Sequence, residues 1–144
     1  GFKGSWISLW LQSMGAELKG YSLTPPTKPS LYFEANVGEN MDSQIGDIRD
    51  LEILKKSMIS FNPDILIHMA AQPLVRLSYL EPVDTYTTNV IGTVNVLESA
   101  RDCKNLKAML ALTTVKCYEI KEWTWVYHEK EPLGEHDPYS NRKG

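Results

Sequence analysis

Apolar positions recur along this chain in two rhythms, one helical and one strand-like. Within residues 4–14, Trp6, Leu9 and Trp10 fall at helical spacing and Gly15 offers a stop, which predicts an opening helix. Residues 17–23 alternate enough to predict a short strand. A polar, proline-rich stretch follows from Thr24 to Asn40, where Pro25, Pro26 and Pro29 are expected to exclude regular structure. A second short strand is expected at 43–47. Asp50 then reads as the N-cap of a helix to Ser60, with Leu51, Leu54, Met58 and Ile59 on one face. Residues 64–68, Asp-Ile-Leu-Ile-His, read as a fully buried strand, which suits a parallel sheet. A long helix is expected from Pro82 to Asp102, with proline in its first turn, and another buried strand at 108–113. Residues 114–138 read as loop-rich. Helices and strands alternating at this spacing predict an α/β fold with a doubly wound parallel sheet.

Composition narrows the class further. The 144 residues suffice for one domain with a core, and 42% hydrophobic with 23% charged residues is ordinary for a soluble globular protein. A net charge of −3 without a long Lys/Arg run argues against a nucleic-acid or anionic-membrane surface. No apolar stretch approaches the roughly 20 residues of a membrane-spanning helix. Cys103 and Cys117 could form only one disulfide and are read as reduced thiols, so a cytoplasmic location is expected. The chain opens on Gly1 straight into a helical pattern and ends at Gly144, so it is expected to be an internal segment of a longer protein.

Three features could carry chemistry. Gly1 and Gly4 sit directly before the opening helix. Glycines there let a pyrophosphate approach the backbone at a helix N-terminus, although two such glycines also make an ordinary turn. Tyr139 and Lys143 stand four apart, so on a helix they share a face and the ammonium lowers the phenol pKa; the same pair also reads as an exposed helix start. Thr113 and Thr114 follow the last strand, at the carboxyl end where α/β sheets place ligands, with Lys116 just beyond. His68, His128 and His136 lack metal-ligand spacing, and Met69 and the tryptophans read as core or loop packing.

The order of the motifs is more specific than any one of them. Gly1-Phe2-Lys3-Gly4-Ser5-Trp6, Gly46-Asp47-Ile48-Arg49-Asp50, the run His68 to Arg76, Asn89-Val90-Ile91-Gly92-Thr93, Lys116-Cys117-Tyr118-Glu119 and Asp137-Pro138-Tyr139-Ser140 form a series. It resembles the extended short-chain dehydrogenase/reductase superfamily over essentially the whole chain. Within it, the opening hexapeptide, the Ala70 to Arg76 run and the loop Glu122-Trp123-Thr124-Trp125 are similar to CDP-glucose 4,6-dehydratases.

That resemblance implies a Rossmann-like NAD-binding domain over residues 1–144, with its first strand and a substrate-binding portion lying outside them. Gly1, Phe2 and Gly4 would belong to the dinucleotide loop, Asp47 and Ile48 would meet adenine, and Ala70, Ala71 and Gln72 would line the cofactor wall, braced by Asn89. Tyr139 and Lys143 would be the active-site pair, Lys143 also holding the nicotinamide ribose. Thr114 would bind the reacting hydroxyl and Lys116 would remove the C5 proton. The implied reaction oxidises C4 of CDP-glucose, eliminates the 6-hydroxyl as water and reduces C6, a step of deoxysugar and lipopolysaccharide O-antigen biosynthesis. NAD rather than NADP rests on the same resemblance. A homodimer through two long helices, one of them 82–102, is implied for the full-length protein.

Three positions depart from the pattern. Val115 stands where the family is expected to carry the Asp that protonates the leaving hydroxyl, Glu135 replaces a glycine, and Arg142 replaces a small residue. General acid help contributes about 10²–10⁴-fold, so its loss would cripple elimination. Two alternatives stay open: an epimerase or reductase acting on another nucleotide sugar, and a non-catalytic remnant that at most binds nucleotide.

Overall fold

The computed structural model describes residues 1–114, 118, 124–126 and 128–132. Helix α1 spans Phe2–Ser13 and leads to strand β1, Lys19–Ser22. A one-turn helix α2, Leu31–Glu34, and a 3₁₀ turn, Val37–Asn40, precede β2, Asp42–Ile45. Helix α3, Leu51–Phe61, connects to β3, Ile65–His68. Short helices α4, Val75–Leu80, and α5, Pro82–Tyr86, run into a π-helical turn, Thr87–Ile91, and then α6, Gly92–Ala100. Strand β4 is Ala108–Ala111. The β1–β2 and β3–β4 pairings are both parallel, as the alternation of elements predicts.

Local chemistry explains the best-defined of these elements. The Ile53 amide donates to Asp50 Oδ1 at 3.1 Å, so Asp50 caps α3 and takes up an N–H that the helix cannot pair internally. Asn62 ends α3 in the left-handed conformation, φ 51°, which Asn tolerates better than most residues. Pro82 occupies the first turn of α5, where its missing N–H costs nothing. The core lies between α3, α6 and the strands and holds Ile48, Leu54, Met58, Val96 and Cys103.

Among the described residues the strands form two two-stranded sheets, β1 with β2 and β3 with β4, within the expected parallel α/β class. Several other expectations need correction. Strand β3 is not fully buried: Ile65 is 63% exposed, and only His68 is buried. The 24–40 segment is not without regular structure, because the chain becomes helical directly after Pro29, with Ser30 extended as the N-cap of α2. Helix α4 has no counterpart among the predicted elements. The 82–102 helix is interrupted by the π turn and ends at Ala100. Ile59 is exposed, while Ser57 joins Leu54 and Met58 on the buried face of α3. Trp6 and Trp10 are exposed rather than core, and with Phe2, Ile7 and Met69 they line a shallow apolar groove. Among the described residues no helix is long and apolar enough to cross a membrane.

Candidate functional site

Two loops leave the carboxyl ends of β2 and β3, and the helical run from Pro82 to Ala100 fastens both. The β3 loop is held by Asn89. The Gln72 amide donates to Asn89 Oδ1 at 2.8 Å, and Asn89 Nδ2 donates to the Gln72 carbonyl at 3.0 Å. One buried carboxamide thereby occupies both backbone groups of Gln72, as a neighbouring strand would. The Gln72 side chain stays in the loop: Nε2 donates to Thr85 Oγ1 and the Leu74 carbonyl, and Oε1 accepts from the Leu74 amide. Pro73 reinforces this by biasing Gln72 toward extended backbone.

The β2 loop is held six residues further along the same run. Asn95 Nδ2 donates to the carbonyls of Ile48, at 3.0 Å, and Arg49, at 3.1 Å. Ile48 folds its side chain over Gly92, where a Cβ would collide with it, so glycine at 92 is what lets the loop lie on the helix. Arg49 extends the link. Its guanidinium donates to both oxygens of Asp47 and, through Nη1, to Asp84 Oδ1 of α5 at 2.5 Å.

These contacts set the local electrostatics. Hydrogen bonding from the Arg49 side chain holds the Asp47 carboxyl below the usual carboxylate range, against an opposing effect of burial. The two carboxylates reinforce the Arg49 cation. Tyr21 donates its hydroxyl to the Asp47 carbonyl, and burial, then Asp50 and Asp47, push its phenol up.

The structure brings several of the expected residues together. Asp47 and Ile48 in one loop and Ala70, Ala71 and Gln72 in the other are tied to one helical run that carries Asn89. Ile48 is core, 6% exposed, with its side chain over Gly92 and its carbonyl taken by Asn95. Gly1 is the N-cap of α1, and Phe2 and Lys3 share the apolar groove with Met69 at the start of the β3 loop. A Cβ at Gly1 or Gly4 would meet nothing within 4 Å, so the described packing does not itself demand glycine there. Thr114 follows β4 and is half-buried. Lys116, Tyr139 and Lys143, together with Val115, Glu135 and Arg142, lie outside the described residues. Sequence reasoning missed Asn95, Arg49, Asp84 and Thr85. Arg49 stood inside a quoted motif, whereas Asn95 left no signal beyond being a second carboxamide on the same helix.

Comparison with known proteins bears on this arrangement. The model of the GDP-mannose 4,6 dehydratase family matches residues 1–144. The chain belongs to the GDP-mannose 4,6 dehydratase family. This family member is 56% identical over 144 residues to CDP-glucose 4,6-dehydratase of Salmonella typhimurium, covering all of the chain and 40% of that protein. It is 27% identical to CDP-paratose 2-epimerase of Salmonella typhi, again over the whole chain, and covers 47% of that protein. Two solved UDP-glucose 4-epimerases share its fold. One, from Thermotoga maritima with UDP-glucose, gives a TM-score of 0.87 at 24% identity over 99% of this chain and 45% of its own. The other, from Brucella ovis in complex with NAD, gives 0.84 at 24% identity over 99% and 42%. The family member thus spans less than half the length of these relatives.

Proposed function

We propose that the complete protein to which this chain belongs is an NAD-dependent CDP-glucose 4,6-dehydratase of the cytoplasm, working as a homodimer. The observation that carries this reading is the 56% identity to the Salmonella typhimurium enzyme over all 144 residues. The geometry is compatible with a dinucleotide. The open space at Gly1 and Gly4 gives a pyrophosphate access to the N-terminus of α1, where unpaired N–H groups favour an anion. Asp47 keeps its charge at neutral pH and stands ready to accept from adenine, while Asn89 holds the wall formed by Ala70, Ala71 and Gln72.

NAD would supply a transient store for the C4 hydride, which returns at C6. The chain's own groups handle the protons. Tyr139, its phenol acidified by Lys143 four residues on, takes the proton of the 4-hydroxyl. Thr114 orients that hydroxyl. Lys116 removes the C5 proton made acidic by the 4-ketone. Lys143 also holds the nicotinamide ribose. Residues beyond this chain would grip the nucleotide and the sugar.

A second reading, a non-catalytic protein that at most binds nucleotide, is favoured by Val115, which cannot protonate a departing 6-hydroxyl. The deciding experiment assays the complete protein and its Val115→Asp variant with CDP-glucose and NAD, beside UDP- and dTDP-glucose. Under the dehydratase reading the variant forms 4-keto-6-deoxy product from CDP-glucose at about 10²-fold or more the parent's rate. An equally active parent would mean that another group donates the proton. Bound NAD without turnover in either protein would establish the second reading.

A further inference from the structure

His68, at the carboxyl end of β3, is buried, 5% exposed, and the reaction outlined above gives it no task. Its Nε2 lies 3.0 Å from Thr93 Oγ1. The same Thr93 hydroxyl lies 2.6 Å from the Asn89 carbonyl, which can only accept. A hydroxyl has one proton, and the carbonyl has none to offer. Thr93 therefore donates to Asn89, and His68 must donate to Thr93 from a protonated Nε2. The direction of both bonds follows from the donors available to them.

The far end of this chain of bonds is the Asn89 carboxamide, which holds both backbone groups of Gln72. Asn89 lies in the middle of the π turn Thr87–Ile91, where the Gly92 amide reaches back to the Thr87 carbonyl. A π turn is rare and breaks the regular i+4 ladder, so its residues are not held in register by α-helical pairing alone. Thr93 and His68 supply a lateral fastening. We propose that His68 is a positioning residue: through Thr93 it fixes the Asn89 turn and so sets the backbone of the β3 loop at Gln72. The consequence for cofactor binding, but not the relay itself, rests on the dehydratase reading.

The test uses the complete protein and its Thr93→Val and Thr93→Ser variants. Nitrogen-15 spectra of the histidines should show a proton on His68 Nε2 in the parent. Hydrogen exchange of the Gln72 amide should quicken roughly fivefold in Thr93→Val, the equivalent of about one net hydrogen bond, and return to the parental rate in Thr93→Ser. The amides of Leu66 and Met109, in the β3–β4 ladder, should keep their rates. An Nδ1–H tautomer, an unchanged Gln72 amide, or acceleration of all three amides together would overturn the relay. Titration with NAD⁺ separates the two layers. A dissociation constant raised by a similar factor supports the wall as cofactor-facing, whereas faster Gln72 exchange with unchanged NAD⁺ affinity retains the relay and removes the wall from the cofactor site.

Discussion

Arg49 satisfies two carboxylates on different elements, Asp47 on its own loop and Asp84 on α5. Because the folded Asp47 carboxyl is held below its ordinary value, its contribution to stability is present above the unfolded carboxylate range, near pH 4, and is lost as pH falls through the lowered value. Urea unfolding from pH 7 to pH 3 should show the gap between parent and Arg49→Ala closing at the acid end. The gap at pH 7 should not exceed about 1 kcal/mol, because Arg49 and Asp84 are more than a third exposed and solvent screens them. A constant gap across that range would mean that Arg49 acts through packing of its stem instead. At this scale the sequence was legible where a residue's role is local. Asp50 followed by an apolar rhythm announces a cap. Asn95 does not announce itself, because a carboxamide on a helix is normally solvated and only the tertiary arrangement sets two carbonyls against it.

Among the elements, α3 was the most legible because cap, apolar face and stop agree. Its cap contribution can be isolated: Asp50→Ala should lower stability by about 1 kcal/mol in a denaturant melt, and Asp50→Ser should recover most of it. No change on Asp50→Ala would mean that water replaces the carboxylate at the Ile53 amide. Helix α2 was obscured by three prolines that do exclude helix up to Pro29 but say nothing of the turn beginning at Ser30. The π turn was invisible for a different reason. A shift from i+4 to i+5 bonding changes no side chain, and Thr87-Thr88-Asn89 differs from an ordinary helix only in being a polar run of weak helix formers. The strand exposures were misjudged because a run such as Ile65 to Ile67 reports apolarity, not whether something lies against it.

For the whole molecule, the α5–α6 run presents Val83, Tyr86, Val90, Val94 and Leu97 to solvent along one face, although its opposite face is buried. Spacings of three and four place them in a continuous stripe of the kind that pairs with another helix. If the proposed homodimer uses this stripe, Val94→Asp in the complete protein should sediment as a monomer while keeping the parent's circular dichroism spectrum. A dimer that persists would exclude this face. The parallel pairings carry a kinetic consequence. Lys19 meets Asp42, and Ile65 meets Ala108 only after α4, α5, the π turn and α6 have intervened. Doubling a loop raises its closure entropy by only about 0.6 kcal/mol, so separation along the chain barely distinguishes the two ladders. What distinguishes them is the spacer: β1 and β2 are joined by a proline-rich link with two short turns, β3 and β4 by a train of helices. The second ladder is therefore expected to form with the packing of α6 against α3, and the loop at Gln72 to take its shape in the same step.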